Sequence, residues 1–516
     1  MKLERLELTY TVEHFPSESG EIVPWVFVGV VRFGCQDEKG GQGKAKAGLM
    51  AEVMEASGMV RKAFAGIVER YDGPHLKDNL MVASNLREAV IPTAKKLTRL
   101  VIPEGVEAEI LAAEAPLVIE FRVDPVLNHV PWDLLFLGQD FLSFTHATGR
   151  SVMAHPALSV TPNRSRHPVL RGAFIVDPCP VGADRLEDQL VQEALQLMGR
   201  WGQGAGEDRI RFAREAIRLR DPIPASRLSA LLQHSDVVMV LGHNNDRSRA
   251  IPEAPEEEGL VIMDEQRRRP ALYSPAEMLT ALQVPNVPPE LLFWLACESA
   301  LSTGWGDDWP NSKRIYGFVD AAVRTGVRHF IGSSVVVPQV VAMDLVEPFL
   351  LELAAGCSVG EALRRARVAA RRGSPDPADG GSLVGLAFSL FGPPSLGLLS
   401  GGGCRIGGLV AHSCRHVENR FRCGALYEPG EPGAANQRCA AHALIPSRPP
   451  LLREPCGNPY GKHTDDGAWV TALDDGWAGA IQKAGSEFPR FLRLCNVCWD
   501  EALFRRELVR LADLMN

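Results

Sequence analysis

Two patterns of apolar residues take turns between Leu170 and Phe391. In the first, apolar side chains follow one another without a polar face, as in Ala173-Phe174-Ile175-Val176, Val237 to Leu241 and Leu291 to Ala296. In the second, apolar residues recur every three or four positions, as in Leu186 to Trp201, Tyr316 to Thr325, Val340 to Ala355 and Val359 to Arg372. An unbroken run suits a strand covered on both sides, and three-to-four spacing suits a helix with one buried stripe. Their alternation predicts an α/β fold, an open, mostly parallel sheet with helices on both faces. Shorter elements fit the same scheme, with strands near Ile210 to Ala213, Val327 to Ser333 and Leu383 to Phe391 and helices at Ala225 to Leu232 and Pro275 to Leu282.

The pattern changes on either side of this stretch. Before Pro168, Met1 to Thr11 and Val23 to Gly34 read as strands, and Ala47 to Arg70 and Asn79 to Leu100 read as helices, so an α/β region precedes the main sheet. After Gly403 the chain becomes rich in Cys, Pro and Gly, with a last helix expected over Trp499 to Met515. A chain of 516 residues has room for about three folded units. The expected parts are residues 1–168, 169–403 and 404–516. No repeat at a solenoid period is visible.

Composition narrows the classes of function. Hydrophobic residues at 46% and charged residues at 23% fit folded domains rather than a disordered chain. A net charge of −8 argues against a general nucleic-acid binder. The uncharged stretch Gly381 to Cys404 is interrupted by Pro393-Pro394 and ends in Gly401-Gly402-Gly403, and the first residues lack an apolar signal core. No membrane partner is expected, and the location expected is the cytoplasm.

Reactive groups in an open parallel sheet gather beyond the carboxyl ends of the strands. Here Val237 to Leu241 leads into Gly242-His243-Asn244, and Leu291 to Ala296 leads into Cys297-Glu298-Ser299. A thiol with a pKa near about 8.5 is mostly protonated at neutral pH, and a nearby imidazole takes its proton or stabilises the thiolate. The pair at separate strand ends reads as a nucleophile and its base, with backbone N–H groups at Asn244 and Cys297 placed for an oxyanion. The plainer reading is a hydrogen-bonded surface histidine and a small core cysteine.

The run Val238-Met239-Val240-Leu241-Gly242-His243, followed by Trp294-Leu295-Ala296-Cys297-Glu298-Ser299, resembles the CHAT family of caspase-like cysteine peptidases. The strand ending at Asp177-Pro178, the segment Gly326-Val327-Arg328-His329-Phe330-Ile331, the helix from Ser358 to Ala366, the ending Ala387 to Gly392 and the lead-in Val130-Pro131-Trp132-Asp133-Leu134-Leu135 agree with it in order. The likeness runs from about Pro131 to Leu398. It implies a caspase-like sheet, preceded by a regulatory or pseudo-protease-like region. His243 would be the general base and Cys297 the nucleophile of a peptide-bond cleavage that uses no metal. Relatives imply a protein substrate and activation by a partner protein, a signal or a proteolytic cut, in bacteria commonly in defence against phage. One departure is Asn244, where the family usually has Gly with its N–H in the oxyanion hole; a residue tolerant of left-handed dihedrals would keep a turn there. Ala300 also replaces a usual Gly. Asn244 keeps open a second class, a catalytically silent adaptor. Glu298, Asp307 and Asp308 offer an acidic pocket for a basic side chain, or are solvated loop charges. Arg267-Arg268-Arg269 is a cleavable loop or an exposed charged one.

The tail carries its own signal. Cys414, Cys423, Cys439 and His442 read C-x8-C-x15-C-x2-H, which resembles small bacterial zinc fingers. Thiolates and imidazole suit tetrahedral zinc, and a segment with little apolar core gains stability from the metal. Cys495 and Cys498, with Cys456 and His463 as partners and His416 as a competitor, suggest a second site. Four protein ligands at each site would make one or two structural zinc ions.

Overall fold

The computed structural model describes residues 3–16, 22–34, 39–68, 86–152, 169–180, 186, 188–201, 209–245, 259–264, 269–283, 288–296, 317–333, 339–371 and 383–399, together with backbone strands at 403–406, 409–413, 417–418, 421–422, 426–427, 468–472, 491–494 and 508–510. The chain forms two compact units, residues 1–162 with 168–399 and residues 163–167 with 400–516.

The first unit is built on one sheet of eleven strands. Its chain opens with β1 (Leu3–Pro16), β2 (Ile22–Gly34), β3 (Lys39–Leu49) and β4 (Val118–Val123). A small hairpin, β5 (Phe136–Leu137) and β6 (Asp140–Phe141), precedes β7 (Ala147–Val152), β8 (Leu170–Val176), β9 (Ile210–Leu219) and β10 (Val237–Leu241). A separate antiparallel sheet follows, made of β11 (Asn244–Asn245), β12 (Gly259–Met263) and β13 (Pro270–Tyr273). The main sheet is completed by β14 (Leu291–Leu295), β15 (His329–Ser333) and β16 (Phe388–Phe391), in the spatial order β3-β2-β1-β4-β7-β16-β15-β14-β10-β8-β9.

The sheet is mostly parallel, as the alternating pattern predicts, but it contains two blocks. β9, β8, β10, β14 and β15 run one way. β16, β7, β4 and β1 run the other way, and the direction reverses at the antiparallel β15–β16 pair. The strands of residues 1–168 therefore extend the same sheet as those that follow. β3, β4 and β7 escaped the sequence reading because KGGQGKAKAGL, VIEFRV and ATGRSV carry no unbroken apolar run.

One face of the first block packs Val238, Val240, Leu292 and Trp294 against Leu228 and Leu232 of helix Ala225–His234, Met278 of helix Pro275–Gln283 and Phe318 of helix Phe318–Thr325. On the other face the Phe293 ring meets Phe349 of helix Gln339–Ala354 edge-on at 5.1 Å. Local sequence sets the helix ends. Gly326 adopts φ +81 and its N–H caps helix Phe318–Thr325, a conformation that glycine takes without a Cβ penalty. Ser358 accepts the Glu361 N–H at the start of helix Val359–Ala370.

A buried charged cluster sits where the two blocks meet. Asp133, on the short turn Trp132–Leu134, accepts from Arg367 Nη2 at 2.7 Å and from Ser389 Oγ at 2.6 Å, with Arg150 Nη2 at 4.0 Å. Arg367 also donates to the Gly385 carbonyl, and Arg150 to the Asn128 carbonyl at 2.6 Å while its guanidinium covers the Phe391 ring. Burial brings Arg150 down to about 10 in spite of Asp133, and lowers Arg367 as well. The lead-in segment around Asp133 thus ties β7, β16 and helix Val359–Ala370 together.

In the second unit, backbone strands Gly403–Ile406, Leu409–Ser413 and Leu426–Tyr427 form one sheet, and Ala468–Ala472 pairs with Phe491–Leu494 and Leu508–Arg510. Leu508–Arg510 is a strand, which corrects the helix expected over Trp499 to Met515. No helix among the described residues is long and apolar enough to cross a membrane.

Candidate active site

β10 and β14 are parallel neighbours, in register from Val237↔Leu291 to Leu241↔Leu295. Every residue of both strands is buried, as a strand covered on two faces requires. The Gly242 N–H donates to the Leu295 carbonyl at 3.4 Å, so the ladder continues one step and the two strands end level. His243 is the second residue after Leu241. Cys297, the second after Leu295 in the sequence, lies outside the described residues, as do Glu298, Asp307 and Asp308; buried Ala296 directly precedes it.

His243 is only 5% exposed. Its carbonyl accepts the Val261 N–H at 2.8 Å, which fastens it to the small sheet beyond the strand tip. Asn244 continues directly into β11, opposite Leu260. Its backbone is extended rather than left-handed, so the tolerance for a left-handed turn that the sequence suggested is not called upon. Just before the histidine, a Cβ on Gly242 would sit 3.2 Å from Pro178 Cδ and 3.1 Å from Leu260 Cδ1, so the close approach of these chains favours glycine.

Pro178 owes its place to an unusual strand tip. Among the described residues, the non-glycine residues with positive φ are Asp177 at 58° and Arg220 at 51°, at the ends of adjacent strands β8 and β9. Such a conformation costs about 1–2 kcal/mol per residue, with Asp more tolerant than most. The two are bound to each other, Arg220 Nε donating to Asp177 Oδ2 at 3.2 Å, while Asp177 Oδ1 accepts the Leu186 N–H at 3.3 Å. The Asp177 N–H reaches the Leu241 carbonyl at 3.0 Å, and the Arg220 N–H reaches the Val176 carbonyl at 2.8 Å. The sequence reading named Asp177-Pro178 as a strand end but missed the pair; two residues at φ > 0 that are not Gly or Asn leave little signal in a sequence.

Other expected groups fall as follows. Arg269 lies at the β12–β13 connection with its Nε 3.9 Å from Asp264; Arg267 and Arg268 lie outside the described residues. The zinc ligands expected at Cys414, Cys423, Cys439, His442, Cys456, His463, Cys495 and Cys498 all lie outside them too. Among the described residues no cluster of three or more His, Cys, Asp or Glu is placed to hold a metal. Cys179 is buried against Val261 and Met263.

Two solved structures of the Saccharomyces cerevisiae separase–securin complex are similar. The 2.6 Å structure has 12% identity and a TM-score of 0.33 over 66% of this chain and 22% of that one. The 3.0 Å structure has 9% identity and a TM-score of 0.41 over 76% of this chain and 30% of that one. The chain thus spans less than a third of the length of those chains. No curated protein matches it significantly. The profile of the CHAT domain matches residues 92–419, which takes in both β10 and β14 and more than half of the 516 residues, and the chain belongs to the CHAT-domain family.

Proposed function

We propose that this protein is a caspase-like cysteine endopeptidase in which His243 is the base and Cys297 the nucleophile. The observation that carries the reading is the register of β10 and β14, parallel neighbours whose paired ends lead, two residues on, into His243 and Cys297. The cysteine thiolate attacks the peptide carbonyl, the C–S bond forms and the C–N bond breaks as the imidazolium gives its proton to the leaving amine. Water then cleaves the thioester and restores the thiol. Backbone N–H groups at Asn244 and Cys297 stabilise the oxyanion, and Glu298, Asp307 and Asp308 favour a basic side chain in the substrate. A protein partner, a signal or a cut switches the enzyme on in bacterial cytoplasm, in antiphage defence. The part before residue 169 is a regulatory or pseudo-protease-like region, and the part after 403 is held by structural zinc on Cys414, Cys423, Cys439 and His442, with Cys456, His463, Cys495 and Cys498 as a second set.

An electrophilic peptide probe tests the dyad in the full chain. Labelling at Cys297 in the wild type, reduced about a hundredfold or more in His243→Ala, is the expected result. Equal labelling of both proteins sinks the base assignment, and an absence of labelling across probes and partners favours the adaptor. Metal analysis of the purified chain should find at least one zinc per molecule; less than one rejects the tail assignment.

A further inference from the structure

We infer that Asp177 and Arg220 are positioning residues for His243, acting through Pro178 and Gly242. The inference rests on the proposed role of His243, and all five residues are within the described part of the chain.

Among the described residues, both positive-φ residues that are not glycine sit on neighbouring strand tips at the carboxyl edge, the edge that also carries His243. Left-handed backbone at ordinary residues persists only where the surroundings hold it, and it gathers at working sites. Here the hold is a mutual one. The Asp177 carboxylate, 1% exposed, receives Arg220 Nε and the Leu186 N–H, while Arg220 Nη2 donates to the Leu186 carbonyl at 2.9 Å. The reversal at Asp177 directs the chain so that the Pro178 carbonyl accepts the Ile223 N–H at 3.1 Å and the Pro178 ring lies over Gly242. Leu260 crowds Gly242 at the same point, and His243 next to it is anchored through its carbonyl to Val261. The histidine backbone is therefore held by the strained tip of β8, packed on Gly242, and by the small sheet, bonded to its carbonyl. Neither Asp177 nor Arg220 needs to touch substrate for this. A lost carboxylate at Asp177 releases the tip, lets Pro178 withdraw and frees the imidazole to turn from the thiol.

The test is the rate at which iodoacetamide alkylates Cys297, followed by peptide mapping of the full-length protein between pH 5 and pH 10. General loosening speeds alkylation at every pH, whereas a displaced imidazole moves the inflection of the profile. In the wild type the inflection is expected below the ordinary thiol value of about 8.5, and in His243→Ala near it. Asp177→Asn keeps size and loses charge. It should move the inflection in the same direction as His243→Ala, with alkylation at pH 7 reduced roughly threefold to tenfold and wild-type rates regained at high pH. Gly242→Ala presses on the same contact from the other side without removing a buried charge, and it decides the matter if Asp177→Asn does not fold. Wild-type profiles in the variants beside a shifted profile in His243→Ala overturn the positioning role and leave the peptidase reading intact. An unshifted profile in His243→Ala overturns both.

Discussion

His243 and His329 are both buried, and their strands are separated by β14 alone, yet they lie at opposite edges of the same block. His329 opens β15 at the amino edge. Its Nδ1 is 3.3 Å from the Glu290 carbonyl and its Nε2 is 3.1 Å from the Pro393 carbonyl. Burial, reinforced by the charge of Arg328, holds its imidazole down to about 3, so it is a neutral part of the core at any ordinary pH. His243 instead follows a carboxyl end, beside a strained strand tip, a crowded glycine and a small sheet that runs on from it. A buried histidine is thus not informative by itself. The edge it stands on separates a structural imidazole from a candidate base.

The largest effect that sharpens this contrast is expected at the junction of the two blocks, three strands from β10. Arg367→Met leaves the buried Asp133 carboxylate without its 2.7 Å partner and should lower the unfolding free energy by about 3–5 kcal/mol, read from denaturant midpoints. Probe labelling of the fraction that remains folded should match the wild type, since the cluster ties the two blocks together on β16 and β7 and lies three or more strands from β10. Labelling lost in the folded fraction would instead couple the junction to the chemistry. His329→Gln is expected to cost less, about 1–3 kcal/mol, because one carbonyl at Glu290 or Pro393 loses its ring partner. It too should leave labelling unchanged. A variant stable as wild type but poorly labelled would erase the distinction between the two edges.

The legible parts of the molecule were those whose pattern is set by local burial. Val237 to Leu241 and Leu291 to Leu295 are apolar throughout because helices cover both faces, so the strands and the edge they lead to followed from the sequence, though not their order in the sheet. Ser358, accepting from Glu361, and Gly326 set helix ends through equally short-range chemistry, which the reading of the sequence did not use. The joining of β1, β4 and β7 to the main sheet was not legible, because pairing partners far apart in the chain leave no periodic trace. Nor was the Asp133–Arg367 contact, which spans 234 positions. The hairpin β12–β13 hid inside a polar connection, since five apolar residues at Gly259–Met263 between charged runs do not by themselves choose a partner.

The smallest expected effect concerns acid stability, and it turns on histidines that are neutral by construction. Burial first, then Arg61 and Arg150, bring His129 down to about 4; burial first, then Arg364, bring His146 to about 4; His329 stands at about 3. The unfolded chain keeps the ordinary value of 6.5, so below that pH it binds protons that the folded chain refuses. Stability from these groups is complete above about pH 6.5 and declines as the pH falls toward their folded values. At pH 5.5 each accounts for about 1 kcal/mol. His146 allows a clean subtraction, because the Leu117 N–H donates to its Nδ1 at 2.9 Å and an asparagine Oδ1 accepts in the same way without titrating. His146→Asn should therefore narrow the gap between denaturant-derived stabilities at pH 7.5 and pH 5.5 by about 1 kcal/mol, with little change at pH 7.5. An unchanged gap would mean that the imidazole is already protonated in the folded chain, and that the bond from Leu117 does not hold it neutral.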